Sequence, residues 1–239
     1  GTVTELISAA SNTQESWRID IAVQNSLNPS ALVGEMALDI LVGGATDDVL
    51  IKSLPVGGAY FGGWCKYSFP VRVPSGVRVA AQLSAGAAQT SEPRVMVALY
   101  GGSPPPGRVG RKVTTYGTKI NDSRGQAVTP TASGGAASVT QMTASTSEDH
   151  WWFIPGFQVS TDSTIATATN INVGIGVGAA TEERIGTWWF TKNASEMQTG
   201  PWPLDGAYRH VPAGSRLTLL ASNGGSNDTA HDGHIYAVS

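Results

Sequence analysis

The chain has 239 residues, of which 41% are hydrophobic and 14% charged, with a net charge of −3. This hydrophobic content excludes a disordered chain, and the slightly acidic balance argues against nucleic-acid binding over the whole surface. Cys65 is the one cysteine, so no intrachain disulfide can form. A membrane-spanning helix needs about 18 consecutive apolar residues, and no apolar run in the sequence approaches that length.

Strand signals dominate the first half of the chain. Apolar and polar side chains alternate with a period of two over 17–24, 36–43, 71–79 and 95–99, which is the pattern of half-buried strands. Pro74-Ser75-Gly76 interrupts the third stretch, and this combination of proline and glycine is typical of a turn between strands.

The second half repeats this organisation. Its apolar stretches are 157–159, 171–177, 217–221 and 235–238, and Pro212-Ala213-Gly214 precedes the third of them. No amphipathic helix longer than about two turns is present. About six short strands per half with Gly/Pro turns predict an all-β chain of antiparallel sandwiches. A jelly roll is favoured over an immunoglobulin-like sandwich, because this sequence lacks the Cys…Trp…Cys spacing of true immunoglobulin domains.

The two halves also match each other residue by residue. Ile40–Ile51 resembles Ile175–Gly186 at an offset of 135, from position 40 to position 175. Pro74 and Pro212 lie 138 positions apart, from 74 to 212, and Trp17 pairs with Trp152 at 135. The order is kept throughout, which predicts two tandem sandwich domains related by internal duplication, at 1–100 and 137–239.

Residues 101–136 have no counterpart in this repeat. The segment is rich in proline and glycine, and it carries five basic residues and one acidic residue, a net charge of +4. One interpretation is a solvated linker between the domains. The other is an arm that lies on the acidic surface of a neighbouring subunit, with Arg108, Arg111 and Lys112 in the contact.

Motifs for catalysis are not found. No nucleophile elbow, Walker loop or His-Glu-x-x-His motif is present. His231 and His234 stand near Asp228 and Asp232, a combination that could ligate a metal, but an Asn/Asp/Gly-rich hairpin loop explains the same residues. The acidic pairs at 47–48 and 182–183 are interpreted as solvated turn residues. We therefore predict no catalytic activity, no cofactor and no structural metal.

Tryptophans are concentrated in the second half, where Trp151-Trp152 and Trp188-Trp189 are adjacent pairs and Trp202 follows. Neighbours on a strand point to opposite faces, so each pair is expected to place one indole inside and one outside. Trp151, Trp188 and Trp202 are the candidate contacts, either with another subunit or with a glycan.

Two segments resemble a recurrent element in structural proteins of tailed bacteriophages. They are Phe69–Ala80, with Val73-Pro74-Ser75-Gly76-Val77-Arg78-Val79, and His210–Leu217, with Val211-Pro212-Ala213-Gly214-Ser215-Arg216-Leu217. The resemblance implies a non-enzymatic virion component, such as a head decoration, fibre or spike, collar or tail accessory protein. Such a component would bind major capsid or tail and collar proteins. Self-association is predicted separately, because a chain with 14% charged residues and a basic insert between acidic domains is suited to subunit contacts. The alternative is a glycan-binding adhesin module that uses the exposed tryptophans of the second half.

Overall fold

The computed structural model describes residues 1–24, 36–44, 46–56, 64–85, 93–103, 109–118, 125–132, 135–159, 169–178, 181–192, 201, 205–225 and 231–239. These residues form strands, turns and bends, and no helix occurs among them, which confirms the all-β prediction. The described part of the chain accordingly contains no helical segment able to cross a membrane.

In the described part of the chain, the first sandwich has seven strands in two antiparallel sheets. They are β1 (Val3–Ile7), β2 (Ser16–Gln24), β3 (Met36–Gly43), β4 (Asp47–Pro55), β5 (Trp64–Phe69), β6 (Arg78–Ala85) and β7 (Arg94–Gly101). One sheet has the order β1-β6-β3-β4 and the other β5-β2-β7. Alternation decides which side chains form the core: Ile19, Ile21 and Val23 of β2 are buried between partly exposed neighbours.

The second sandwich has the same plan with two added strands. They are β8 (Val113–Tyr116), β9 (Gln126–Val128), β10 (Ser138–Thr143), β11 (His150–Val159), β12 (Thr169–Val177), β13 (Glu183–Lys192), β14 (Ala207–Val211), β15 (Leu217–Asn223) and β16 (His231–Val238). Its sheets have the orders β10-β15-β12-β13 and β14-β11-β16-β8, and β9 also pairs with β16. Strands β10 to β16 thus follow the order of β1 to β7.

The agreement extends to register. Ile40 pairs with Ala81 in the first sandwich, and Ile175 pairs with Leu219 in the second; these are the partners that the sequence offsets relate. A register shift follows Ile40 on its β4 side and Ile175 on its β13 side. One correction applies to the predicted pairs: Ile19 faces Leu99 and Phe153 faces Ala237, which makes Trp151, not Trp152, the counterpart of Trp17. Descent from one duplicated module stays a prediction.

The repeated Pro-x-Gly turns are built alike in both sandwiches. Gly76 donates its N–H to Asn12 O at 2.7 Å, and Gly214 donates to Thr146 O at 2.9 Å. Both glycines have a positive φ, 73° and 84°, a conformation that glycine adopts without steric cost. The buried side chains of Asn12 and Thr146 bind backbone groups of the same turn.

The two sandwiches share one apolar core. The ring of Phe69 lies 5.4 Å from that of Trp152 and 5.7 Å from that of Tyr236. The Tyr236 hydroxyl donates to Ser53 O at 2.5 Å. Close approach depends on Gly156, since a methyl group there would come within 2.7 Å of the Tyr236 ring and 3.2 Å of Pro55. The outer face of the β11–β16 sheet therefore packs against the side of the first sandwich that is formed by β4 and β5, the edge strands of its two sheets.

The segment between the repeats is in part a component of the second sandwich. Strand β8 pairs with β16 from Ile235 to Val238, and β9 pairs with it from His231 to Gly233. The prediction of a solvated linker or free arm over 101–136 is therefore wrong for these two strands. The physical reason is that their backbone groups satisfy the outer edge of β16, which the repeat alone leaves unpaired. Residues 104–108, 119–124 and 133–134 lie outside the described residues.

Candidate interaction surface

Three of the four histidines are buried inside the second sandwich. His150 and His234 are 0% exposed and His231 is 1% exposed. His231 stacks on Phe157 with ring centroids 4.9 Å apart. The prediction that His231 to His234 belong to a hairpin loop is wrong: they begin β16, whose eight residues are all buried. Pairing with both β11 and β9 makes this polar stretch an interior strand.

Strand β8 brings a phenol to one of these histidines. Tyr116 Oη and His150 Nε2 are 2.7 Å apart. Burial lowers the pKa of His150 below its ordinary value, because the charged imidazolium loses its hydration there. His210 is the exposed histidine, and its Nε2 lies 3.4 Å from Asp149 Oδ2. No group of three or more His, Cys, Asp or Glu side chains suited to a metal occurs among the described residues.

One acid of each acidic pair forms an ion pair with the arginine of the repeated turn. Arg78 Nε donates to Asp47 at 2.9 Å, and Arg216 binds Glu182. Hydrogen bonding from the Arg78 guanidinium lowers the pKa of Asp47. The interpretation of Asp47 and Glu182 as solvated turn residues is therefore wrong, since each is bound by an arginine and its side chain is only 12% or 15% exposed.

Each tryptophan pair is divided between core and surface. Trp152 and Trp188 are both 2% exposed, whereas Trp189 is 48% exposed and Trp151 is half-buried. The prediction of one indole inside and one outside is confirmed. The choice of Trp188 as a surface contact is wrong, because its ring enters the core and its indole N–H donates to Asp205 O at 3.0 Å.

Trp151 forms an aromatic pair that sequence reasoning missed. Its ring stacks on Tyr208 with centroids 6.0 Å apart and an interplanar angle of 24°. Tyr208 is 69% exposed. The available signal was an alternation of apolar and polar side chains along Ala207-Tyr208-Arg209-His210-Val211, which would have indicated a strand. Only Val211 of that strand is buried, so the alternation was too weak to recognise.

Two basic residues, Arg111 and Lys112, follow Gly110, which adjoins the Trp151 ring. Arg111 N–H donates to Ser239 O at 2.8 Å, and Lys112 Nζ lies 2.7 Å from Glu148. A methyl group on Gly110 would lie 3.4 Å from the Trp151 ring. The structure thus brings Trp151, Arg111 and Lys112 to one end of the second sandwich. Trp202 and Arg108, which were also predicted as contacts, lie outside the described residues.

We call Trp151, Tyr208, Arg111 and Lys112 the aromatic–basic surface. The stacked indole and phenol offer apolar ring surface for stacking, and the exposed Arg111 side chain offers hydrogen-bond donors. The first sandwich differs at the same place: the indole N–H of Trp17, the counterpart of Trp151, donates to Gly102 O at 2.8 Å.

A second exposed apolar region lies on the first sandwich. Met96 is 54% exposed and Tyr100 is 49% exposed, and both belong to β7. The guanidinium of Arg18 lies over the Tyr100 ring at 4.8 Å. Sequence reasoning recognised the inward half of this strand, Val95, Val97 and Leu99, and gave the opposite face no role.

No protein-family model matches this sequence, and no curated protein matches it. Among solved structures, PNGF-II matches with a TM-score of 0.38 and 7% identity over 99% of this chain and 59% of that chain. The T13 viral particle of infectious bursal disease virus matches with a TM-score of 0.28 and 10% identity, over 95% and 56%. The VP2 subviral particle of the same virus matches with a TM-score of 0.27 and 11% identity, over 95% and 57%.

Viral capsid structures are thus among the all-β structures that this chain matches. The chain spans less than two thirds of the length of each of these proteins. The TM-scores, all below 0.4, carry no argument about what the chain does.

Proposed function

We propose that this chain is a non-enzymatic structural component of a bacteriophage virion, which self-associates and binds the particle. The observation that carries the proposal is that several histidine, arginine and carboxylate side chains hold the fold together, whereas several large apolar side chains are exposed. Three of the four histidines are buried, and two arginine–carboxylate pairs fasten turns. Several large aromatic or apolar side chains are exposed, among them Tyr208, Met96 and Trp189, and such side chains are enriched in protein interfaces.

The shared core supports the same role. Phe69, Trp152 and Tyr236 pack the two sandwiches directly on each other, so the contact surfaces keep a fixed spacing. A body of this kind loses little conformational entropy when it binds a repeating surface. Many weak contacts in a regular array then give strong total binding.

The bacteriophage resemblance concerns residues that hold this architecture. In both copies of the element the proline–glycine turn is bound by a buried side chain, Asn12 or Thr146. The arginine that follows the turn binds an acid of an earlier hairpin, β3–β4 in the first sandwich and β12–β13 in the second. The element therefore supports a common sandwich plan. Such a body suits a head decoration, a fibre or spike, a collar or a tail accessory role.

Mass spectrometry of purified phage particles tests the proposal. Particles of the phage that encodes this chain are expected to contain it in many copies, and particles from a deletion strain are the control. Hundreds of copies indicate a decorated head, and a few dozen indicate fibres, spikes or a collar. Particles that lack the chain would overturn the proposal.

A second candidate function, glycan binding, is favoured by the aromatic–basic surface. The stacked rings of Trp151 and Tyr208 provide the kind of platform on which a sugar ring packs. Tyr208→Ala is expected to weaken glycan binding about fivefold, because one aromatic contact contributes roughly 1 kcal/mol. Trp189→Ala, which removes another exposed indole, is the matched control, and calorimetry with array-selected glycans is the measurement. Equal loss in both variants would contradict this site.

A further inference from the structure

The two sandwiches differ at one equivalent edge. In the second, β8 pairs with Ile235 to Val238 and β9 with His231 to Gly233 of β16. By the register of the two sheets, Ile235 to Val238 correspond to Val97 to Tyr100 of the first sandwich, and His231 to Gly233 correspond to Pro93 to Val95. Within the described residues, β7 pairs only with β2. The edge that β8 and β9 cover in one sandwich is therefore uncovered in the described part of the other.

The missing cover changes the burial of the strand. All eight residues of β16 are buried, whereas β7 alternates between exposed and half-buried residues and has no buried one. Its inward side chains, Val95, Val97 and Leu99, remain half-buried although they pack against the core. An added strand would complete their burial in the way that β8 does for β16.

Strand β7 also lacks the features that protect edges from pairing. Edge strands are usually blocked by charges, prolines or short length. Strand β7 has eight residues, Arg-Val-Met-Val-Ala-Leu-Tyr-Gly, with Arg94 at its start as the one charge and no proline. Several other outer strands of the described sheets carry charges within them: Glu5 in β1, Glu183 and Arg184 in β13, and Arg209 in β14. The outer strand β10 carries no charge but is shorter, with six residues.

We propose that β7 pairs antiparallel with β7 of a second copy of this chain, about a twofold axis at Val97. This inference rests on the self-association in the proposed function and names the surface that performs it. A twofold interface must be self-complementary, and pairing of identical edge strands joins two sheets into one by backbone hydrogen bonds. Two three-stranded sheets would become one of six strands.

The sequence of β7 selects this register. With Val97 at the axis, Arg94 faces Tyr100 of the second copy, Val95 faces Leu99 and Met96 faces Ala98. Every residue from 94 to 100 then has a partner, and no two like charges are opposite. The chain already uses the arginine–tyrosine contact, with Arg18 over the ring of Tyr100 at 4.8 Å. A register shifted by two residues at either end leaves Arg94 or Tyr100 without a β7 partner.

Cysteine cross-linking tests the register. In the double variant Met96→Cys/Ala98→Cys, each new thiol faces its counterpart across the twofold axis, and mild oxidation is expected to give a reducible covalent dimer. The single variants Met96→Cys and Ala98→Cys are the matched controls, because neither places two thiols opposite each other. The native Cys65 is buried. Dimers from a single variant, or none from the double variant, would overturn the register.

Light scattering over about 1–200 μM protein tests the interface itself. The wild-type chain is expected to dimerise. Met96→Lys/Ala98→Lys places two lysine pairs directly opposite each other and is expected to weaken the dimer about tenfold. Val3→Lys/Val139→Lys adds the same charge at two other exposed positions and is expected to dimerise as the wild type does.

The results separate this inference from the proposed function. A wild-type chain that stays monomeric throughout, or a dimer that the β7 lysines leave unchanged, would overturn the inference even if the chain is abundant in particles. Absence from particles would overturn the virion role even if the β7 dimer forms.

Discussion

At the scale of single residues, equivalent positions have acquired different chemistry. Ser16 and His150 occupy the same place at the start of β2 and β11, since Ser16 bridges Val73 and His150 pairs with Val211. Both are buried, at 3% and 0% exposure. Only the second sandwich therefore places a titratable group at this point, against Tyr116 of β8.

This histidine is expected to make stability depend on pH. Burial lowers the pKa of His150 in the folded chain, so below about pH 6.5 the unfolded chain binds a proton that the folded chain excludes. Stability is then fully present above that pH and falls as the pH drops toward the folded pKa. Urea midpoints at about pH 7.5 and pH 5.5 measure the difference.

The variant His150→Gln cannot take up this proton and is expected to show a smaller difference between the two midpoints. The same difference in variant and wild type would contradict this assignment.

At the scale of elements, the repeated turn is the part that the sequence predicted best. Pro74-Ser75-Gly76 and Pro212-Ala213-Gly214 were recognised as turns because proline and glycine restrict the backbone locally. Their partners were not recognised. Asn12 and Asp47 reach the first turn from 62 and 31 residues away, and contacts at such separations leave no local pattern.

The same limit explains β8 and β9. Their prolines, glycines and basic neighbours are typical of a linker, and no alternation over a strand of four or three residues could outweigh that composition. What makes them strands is the open edge of β16, which is a property of the folded sheet. For the surface, alternation separated Trp188 from Trp189 but could not tell which of the two faced the core.

Replacing the turn glycines tests whether the two turns are equivalent. Gly76→Ala and Gly214→Ala meet no atom within 4 Å, and their φ values are 73° and 84°. The cost is therefore backbone strain alone, about 1–2 kcal/mol for each variant. Chemical denaturation is the measurement, and the double variant is expected to lose the sum of both, because the sites are far apart. A cost in one turn only would show that the two turns differ.

At the scale of the whole molecule, the contact between the sandwiches determines how the chain unfolds. Rings from both, Tyr67 and Phe69 on one side and Trp152 and Tyr236 on the other, pack together. Burial raises the pKa of Tyr236 well above its ordinary value, so its hydroxyl remains a donor to Ser53 O. Two bodies that share buried rings and a buried hydrogen bond have no separate cores to unfold independently.

We therefore expect one cooperative transition, in which tryptophan fluorescence and far-UV circular dichroism change together.

Phe69→Ala lies in the first sandwich but is expected to lower the stability of the whole chain by about 3–5 kcal/mol, because it leaves a cavity against Trp152 and Tyr236. Tyr236→Phe removes the bond to Ser53 O and is expected to cost about 1 kcal/mol. Tyr208→Phe, at a 69% exposed position, is the control and is expected to change stability by less than about 0.5 kcal/mol. Two separate transitions, with Phe69→Ala shifting only one, would mean that the sandwiches are independent bodies and that their spacing on a particle is not fixed by this contact.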